Sequence, residues 1–364
     1  MAKSSTEKRK SRHLKICSTK RVEFLRKRTG FEDVDLIHNA LPELNLDEVD
    51  TSCELFGKKL SAPIIIESIT GGSQEAKKIN KLLAAAAERS GVAMGLGSQR
   101  AMIEKPSLTN TYCVRDVAPN ILLIGNIGVT QLLEYDVNRI ADAVEKVEAD
   151  ALFVHLNALQ EVVQPEGNRK FRGCLSALRK LTSEIGVPVV VKETGAGISR
   201  EVAVELKNSG VKGIDVAGAG GTSWGAVELI RSSREDEWLW EWGIPTALSI
   251  VEVASVCELP LIASGGIRSG VDVAKAIALG ADYAGAALPF LKATKRGEKG
   301  VFEELERWKE QLRVCMFLTG SKELTSLSNS PVIITGRTAE LFRLRGISPE
   351  GFANRSLKNK GGII

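Results

Sequence analysis

Apolar and polar stretches alternate along this chain with a regular rhythm. Short apolar runs occur at Ile64-Ile65-Ile66, Val92-Ala93-Met94, Ile121-Leu122-Leu123-Ile124, Ala151-Leu152-Phe153-Val154 and Val189-Val190-Val191. Three more follow at Gly213-Ile214-Asp215-Val216, Leu261-Ile262-Ala263 and Tyr283-Ala284-Gly285-Ala286. Runs of this length suit buried strands. Between them, Ala76 to Glu88, Val137 to Val147, Ser199 to Asn208 and Val271 to Ala278 carry helical spacing. Gly91, Gly186, Gly210 and Gly280 stand where a left-handed helix C-cap is wanted. Eight strands, each followed by a helix, predict an α/β fold, a (β/α)8 TIM barrel rather than an open doubly wound sheet. The continuous apolar character of the strands fits a parallel sheet covered on both faces. The barrel is expected over residues 61–320. Residues 1–60 form an N-terminal extension, and residues 321–364 a C-terminal extension of the same domain.

Composition changes this picture little. The 364 residues are 43% hydrophobic and 26% charged, and the net charge of +4 gives no reason to expect nucleic-acid binding. No apolar run reaches the roughly 18–20 residues that a membrane span needs. The six cysteines are scattered without a C-x-x-C pair, which points to free thiols and a cytoplasmic setting. The segment Met1 to Lys15 is basic, with Lys3, Lys8, Arg9, Lys10, Arg12 and Lys15 opposed only by Glu7. It reads as a solvated tail, or as an arm that folds over an anionic ligand.

The residues that follow each strand are more informative. Ser68-Ile69-Thr70-Gly71-Gly72 follows the first and Gly97-Ser98-Gln99-Arg100 the second; the third ends at Gly125-Asn126. The fourth opens into His155-Leu156-Asn157-Ala158-Leu159-Gln160-Glu161, and the fifth into Lys192-Glu193-Thr194. The sixth gives Gly218-Ala219-Gly220-Gly221-Thr222-Ser223, the seventh Ser264-Gly265-Gly266-Ile267-Arg268-Ser269, and the eighth Ala287-Leu288-Pro289. Barrel active sites form at the C-terminal ends of the strands, where these groups would converge.

Two of these loops suit a phosphate. Glycines after strands six and seven allow backbone N–H groups to approach an anion, and Thr222, Ser223, Ser264 and Arg268 add donors. Lys192 at a strand end has two competing roles. It could be a Schiff-base or proton-transfer lysine, or a fixed cation facing a delocalised anion such as reduced FMN. The segment Trp224 to Trp242 holds four of the five tryptophans and reads as a packing or subunit-contact element, or as an apolar wall near the site.

Taken together, Arg9-Lys10…His13, Ser68-Ile69-Thr70-Gly71-Gly72, Gly97-Ser98-Gln99-Arg100, His155 to Glu161 and Lys192-Glu193 resemble the type 2 isopentenyl-diphosphate isomerase family. Gly220-Gly221-Thr222, Ser264-Gly265-Gly266-Ile267-Arg268 and Gly285-Ala286-Ala287-Leu288 continue the match in order. Two positions depart from the family pattern: Ile69 replaces its usual Met, and Ala158 its usual Pro. The resemblance implies a barrel that uses FMN and Mg²⁺, with NADPH as reductant, to interconvert isopentenyl and dimethylallyl diphosphate. It implies that Arg9, Lys10, His13, Ser98, Gln99, Arg100, His155, Asn157 and Gln160 meet the substrate. Glu161 would hold Mg²⁺, and Gln160 and Lys192 would serve the chemistry, Gln160 as an orienting or relay group. Ser68, Ile69, Thr70, Gly71, Ser98, Asn126, Lys192, Thr222, Gly266, Ile267, Arg268, Ala287 and Leu288 would hold FMN. The basic tail becomes a substrate-covering arm, and a homo-oligomer (tetramer or octamer) is expected. The rival is another FMN-dependent barrel, an oxidoreductase acting on a hydroxy acid or nucleotide. That chemistry calls for a His near strand seven or a Cys loop before it, and Ile262 to Gly270 offers neither.

Overall fold

The fold is described from a computed structural model covering residues 5–234 and 236–355. Lys3, the side chain of Lys8 and the last nine residues of the C-terminal extension lie outside the described residues. Eight parallel strands close into a barrel: β1 (Ile64–Ile66), β2 (Ala93–Gly95), β3 (Leu123–Gly128), β4 (Ala151–Leu156), β5 (Val189–Glu193), β6 (Gly213–Asp215), β7 (Leu261–Ala263) and β8 (Tyr283–Ala286), with β8 pairing back onto β1. Helices surround it, as the alternation predicts. The exception follows β2, where a short helix Arg100–Glu104 and a 3-10 turn Pro106–Thr111 replace a full helix.

The strands obey a period of two that decides what enters the barrel. Ile65, Ala93, Ile124, Phe153, Val190, Ile262 and Tyr283 point inward and form one apolar layer. Ile64, Ile66, Met94, Leu152, Val154, Val191 and Ala263 point outward to the helices. A hairpin of Cys53–Leu55 and Lys58–Leu60 inserts Leu55 and Leu60 into the inner layer. It lies at the N-terminal mouth, where Tyr283 Oη donates to the Glu54 carbonyl and Lys58 pairs with Asp150 just before β4.

Several expected boundaries change. Strand β3 begins at Leu123 rather than Ile121 and runs on through Asn126 to Gly128, and β4 and β5 include His155 and Lys192. The apolar run marks only the lower half of such a strand, because backbone pairing continues past it where inward polar groups satisfy one another. Gly91, Gly210 and Gly280 are left-handed as expected. Gly186 is not, because the helix Cys174–Glu184 ends on an extended Ile185. Serine or aspartate caps start five of the outer helices, Ser73, Asp136, Ser199, Ser223 and Ser269 each accepting a backbone N–H.

The terminal extensions join each other. Val34–Leu36 pairs antiparallel with Val332–Ile334. The helix Ser5–Thr19 and the chain after it, as far as Thr29, reach the C-terminal mouth of the barrel: Leu14, Cys17 and Val22 pack with Leu288 and Leu291, and Thr29 meets Gly266. The six cysteines are free thiols, and no described helix is long and apolar enough to cross a membrane.

Candidate active site

The next inward position above the apolar layer is polar on most strands. Two residues beyond Ile65, Ile124, Phe153, Val190, Gly213 and Ile262 stand Glu67, Asn126, His155, Lys192, Asp215 and Ser264, while β2 and β8 present Gly95 and Gly285. Strand register aligns His155 with Lys192 and Lys192 with Asp215. This ring is the floor of one large pocket at the C-terminal mouth. The glycines make room for their neighbours. A Cβ at Gly95 would lie 2.9 Å from the Phe153 ring, and one at Gly285 would run into Glu67.

Lys192 is the buried cation of the floor. Its Nζ lies 3.1 Å from Asp215 Oδ2 and 3.4 Å from Glu67 Oε2, and donates to the Glu193 carbonyl at 2.8 Å. Burial opposes its charge, but the carboxylates around it, Asp215 foremost, outweigh burial and hold it above the ordinary lysine range. A Schiff-base lysine needs a neutral amine, so this geometry selects the fixed-cation role.

Beside it, His155 Nδ1 meets Asn126 Oδ1 at 2.7 Å, and Asn126 Nδ2 donates to Ser68 Oγ at 2.7 Å. With the amide oriented so, Nδ1 carries the proton and Nε2 the lone pair. Burial first, then Lys192 and Lys10, lower the imidazole to about 3, so it is neutral at any working pH. A neutral ring with a free acceptor faces a donor; contact with a diphosphate oxygen would need the opposite tautomer.

One side of the pocket is the glycine cradle. The loops after β6 and β7 pack backbone to backbone. A Cβ at Gly265 would collide with the backbone of Gly218, and one at Gly266 with the Thr29 methyl. Gly265 and Gly266 both have positive φ, 90° and 85°. Arg268 lines the same wall with no ion pair among the described residues, its Nη1 donating only to the Ile267 carbonyl at 2.9 Å. Thr222, Ala287 and Leu288 complete it.

The opposite side is cationic and is closed by the helix Ser5–Thr19. Lys10 Nζ donates to the Ser98 carbonyl and to Tyr112 Oη, both at 2.8 Å. Burial, then the charge of Arg9, push this amine down to about 7, against the pull of Glu104. Arg9 and Arg100 line the same space. His13 Nε2 lies 2.9 Å from Glu228 Oε1 and its ring packs edge-on against Trp224. Glu228, fully buried, also pairs with Arg231 at 2.6 Å and accepts from Gln160 Nε2 at 3.2 Å. The carboxyl lies below its ordinary range, since His13 and Arg231 outweigh burial.

Between the two sides, β4 continues into the helix Ala158–Val163, with Asn157 at its N-cap and Ala158 where the family has Pro, a first-turn position that tolerates either. Asn157 Nδ2 donates to Glu161 Oε1 at 2.9 Å, and the Asn168 amide donates to Glu161 Oε2. Asn157 Oδ1 is buried without a hydrogen-bond partner among the described residues.

Of the expected site residues, three do not line the pocket. Gln99 is buried with Nε2 on the Ala143 carbonyl at 2.7 Å and Oε1 accepting from the Asn126 amide at 3.0 Å. It braces β3 and is not free to bind a substrate. Gly71 packs against the Tyr112 ring, and Ile267 is wholly buried. Ile69 does line the pocket. Sequence reading missed Glu67, Gln131 and Gln164 on the pocket wall, and Glu228 behind it. Glu67 had a signal, since it lies two residues beyond an inward Ile65. The Trp224 to Trp242 segment divides by residue. Trp224 faces the pocket, Trp240 Nε1 donates to the Glu23 carbonyl at 3.1 Å, and Trp238 and Trp242 are exposed and touch edge to face.

Comparison with known proteins gives the family. The model of the FMN-dependent dehydrogenase family matches residues 2–107 and 135–334. An isopentenyl-diphosphate delta-isomerase of Methanothermobacter thermautotrophicus is 50% identical over 96% of this chain and 99% of its own length. Those of Archaeoglobus fulgidus and Pyrococcus abyssi are 49% and 46% identical over 94% and 91% of the chain, and over 100% and 93% of their own lengths. Among solved structures, a lactate oxidase of Pediococcus acidilactici superposes with a TM-score of 0.66 at 18% identity, over 89% of this chain and 87% of that one. A mandelate oxidase solved with a monooxide FMN adduct gives 0.63 at 20%, over 85% of this chain and 90% of that one. At such identities the two oxidases attest the barrel alone, whereas the full-length relatives carry the assignment. The chain belongs to the FMN-dependent, type 2 family of isopentenyl-diphosphate delta-isomerases.

Proposed function

We propose that this protein isomerises isopentenyl diphosphate to dimethylallyl diphosphate by a 1,3-allylic proton shift, with FMN held in the reduced state. The observation that carries this reading is the pairing of two anion sites in one pocket. A glycine cradle with Arg268 stands on one wall, and Arg9, Lys10 and Arg100 on the other. One suits the phosphate of FMN and the other the diphosphate of a substrate lying between.

The residues fit the cofactor. Lys192 offers a permanent cation to a ring that gains negative charge, and Ser68, Thr70, Asn126 and Thr222 offer polar edges around it. When bound and reduced, FMN supplies an electron-rich surface that favours positive charge developing on an alkene. The side chains bind, orient and exclude water. The helix Ser5–Thr19 covers the mouth, and Glu228 holds the Gln160 amide, which neither gains nor loses a proton readily, in a fixed orientation.

Mg²⁺ fits through a small ligand set. The described residues contain no cluster of three or more acidic, His or Cys ligands. The unpartnered Asn157 Oδ1 beside Glu161 nevertheless suits a hard cation that completes its shell with diphosphate oxygens and water. Glu161→Gln is expected to raise the Mg²⁺ concentration needed for half-maximal turnover, measured by metal titration; an unchanged titration would refute the role. NADPH as reductant, a cytoplasmic setting, a tetrameric or octameric assembly, and no nucleic-acid or membrane partner belong to the same reading, on the strength of the family resemblance and the chain's composition.

The test is direct. Protein loaded with reduced FMN and Mg²⁺ is incubated with isopentenyl diphosphate, and dimethylallyl diphosphate is expected. Turnover of a hydroxy acid with no isomerisation would favour the oxidoreductase alternative.

A further inference from the structure

The pocket floor holds more carboxylate than its one lysine balances. Glu67 and Asp215 both face Lys192, and all three are buried. Glu67 Oε2 and Asp215 Oδ2 converge on the same ammonium, at 3.4 and 3.1 Å. Beyond the Lys192 ammonium, 3.1 Å from Asp215 Oδ2, neither Glu67 Oε1 nor Asp215 Oδ2 has a hydrogen-bond donor among the described residues. The two carboxyls are not equally supported. Asp215 Oδ1 accepts from Ser264 Oγ at 2.7 Å and from the Ala217 amide at 3.1 Å. Glu67 has one long bond from the Ser68 amide, at 3.4 Å. Two carboxylates facing each other in a buried site do not both ionise, and the proton goes to the one with fewer donors.

We infer that Glu67 is a positioning residue of the cofactor pocket, resting as the neutral acid with its carboxyl hydrogen directed at Asp215. Lys192 and Asp215 then form a one-to-one pair, and the floor presents no excess negative charge to an anionic flavin. This deepens the FMN reading and rests on it only for the identity of the ring. The fold fixes the pair. Strand β1 turns Glu67 inward, and Gly285 on β8 leaves space that any side chain would take from it.

Burial, then the charge of Asp215, push Glu67 up to about 8, while Lys192 pulls it down. The groups facing this corner are Asp215 from β6, Lys192 and Glu193 from β5, and His155 of β4 beyond Lys192. Strands β2, β7 and β8 present Gly95, Ser264 and Gly285, which do not titrate. His155 is neutral throughout. Glu193, raised by burial to about 7, titrates nearby, so the difference between two proteins isolates Glu67 where a single pH profile would not.

The sign is definite. A carboxyl whose folded pKa is raised contributes stability that is full below the ordinary glutamate range and is lost as pH rises through about 8. Glu67→Gln fixes the neutral shape and escapes that loss. The full chain as purified and its E67Q variant are to be melted from about pH 5.5 to about pH 9 and titrated with dithionite-reduced FMN. The melting temperature of E67Q relative to the parent is expected to rise with pH by about 2 °C or more. Affinity for reduced FMN should weaken several-fold with pH in the parent and hold in the variant. If Glu67 were instead an ionised partner of Lys192, E67Q would fall increasingly below the parent as pH rises. That trend, or a difference flat with pH, overturns the proposal. The stability trend without uptake of FMN would support the protonated pair and count against the FMN assignment. Should E67Q not fold, the infrared spectrum of a Glu193→Gln variant decides, because that change removes the neighbouring carboxyl that titrates in the same range. A protonated-carboxyl band that persists above about pH 7 and fades through about 8 supports Glu67 as the neutral acid, and its absence overturns it.

Discussion

At the scale of single residues, the site works by holding charges in states they would not adopt in water. Lys10 shows this most clearly. Its folded pKa is depressed to about 7, so the stability contributed by the neutral amine is present above the ordinary lysine range and is lost as pH falls through about 7. A diphosphate arriving beside it restores the charge. Substrate or inorganic diphosphate binding near pH 8 is therefore expected to take up close to one proton, measured by calorimetry in buffers of different ionisation enthalpy. Lys10→Met should abolish that uptake and weaken binding at least about tenfold, the scale of a lost charge-assisted bond of roughly 1.5–3 kcal/mol. Gln160 makes a different case. Its amide is oriented by Glu228 and contributes position, so Gln160→Ala should cut turnover while FMN stays bound, read from the flavin spectrum alongside the rate. Wild-type turnover in that variant would remove Gln160 from the account.

At the scale of elements, the two glycine loops carry the strongest prediction. Gly266→Ala sets a methyl against Thr29 at a φ that disfavours side chains. Loss of FMN retention is expected, with a stability cost of about 1–3 kcal/mol, checked by flavin content after gel filtration and by thermal melting. Full flavin retention would show that this loop is only a turn. Elements also explain what could be read in advance. Ile64 to Ile66, Leu261 to Ala263 and Tyr283 to Ala286 announced their strands because apolar runs and barrel strands coincide there. Asn126, His155 and Lys192 were read as strand ends, yet they lie within strands, because hydrophobicity does not register pairing that continues through a polar ring. Glu67 was legible by period two and was passed over because Ser68 and Thr70 beside it were the more familiar polar pattern. Glu228 was not legible. Within its own helix, Trp224 to Ser232, only the i,i+3 spacing to Arg231 is visible, the ordinary pattern of a solvated face, and its other partners, His13 and Gln160, come from distant segments.

At the scale of the whole molecule, the barrel separates its tasks by height. The N-terminal hairpin and an apolar layer seal the bottom, a ring of buried polar groups forms the floor, and the helix Ser5–Thr19 covers the top. Residues from the first turns of the chain and from every strand end therefore meet in one water-poor pocket. That arrangement suits moving a proton between two carbons while a charged cofactor is shielded from solvent. The central claim is that the chemistry is a proton shift with no net transfer of electrons. The deciding measurement is turnover of isopentenyl diphosphate in D₂O by protein whose FMN has been reduced under anaerobic conditions, with the flavin spectrum recorded alongside product analysis. Deuterium in the newly formed methyl group of dimethylallyl diphosphate, with the flavin still reduced after many turnovers, is the predicted result. Product formed in step with stoichiometric flavin oxidation, or product free of deuterium, would contradict it.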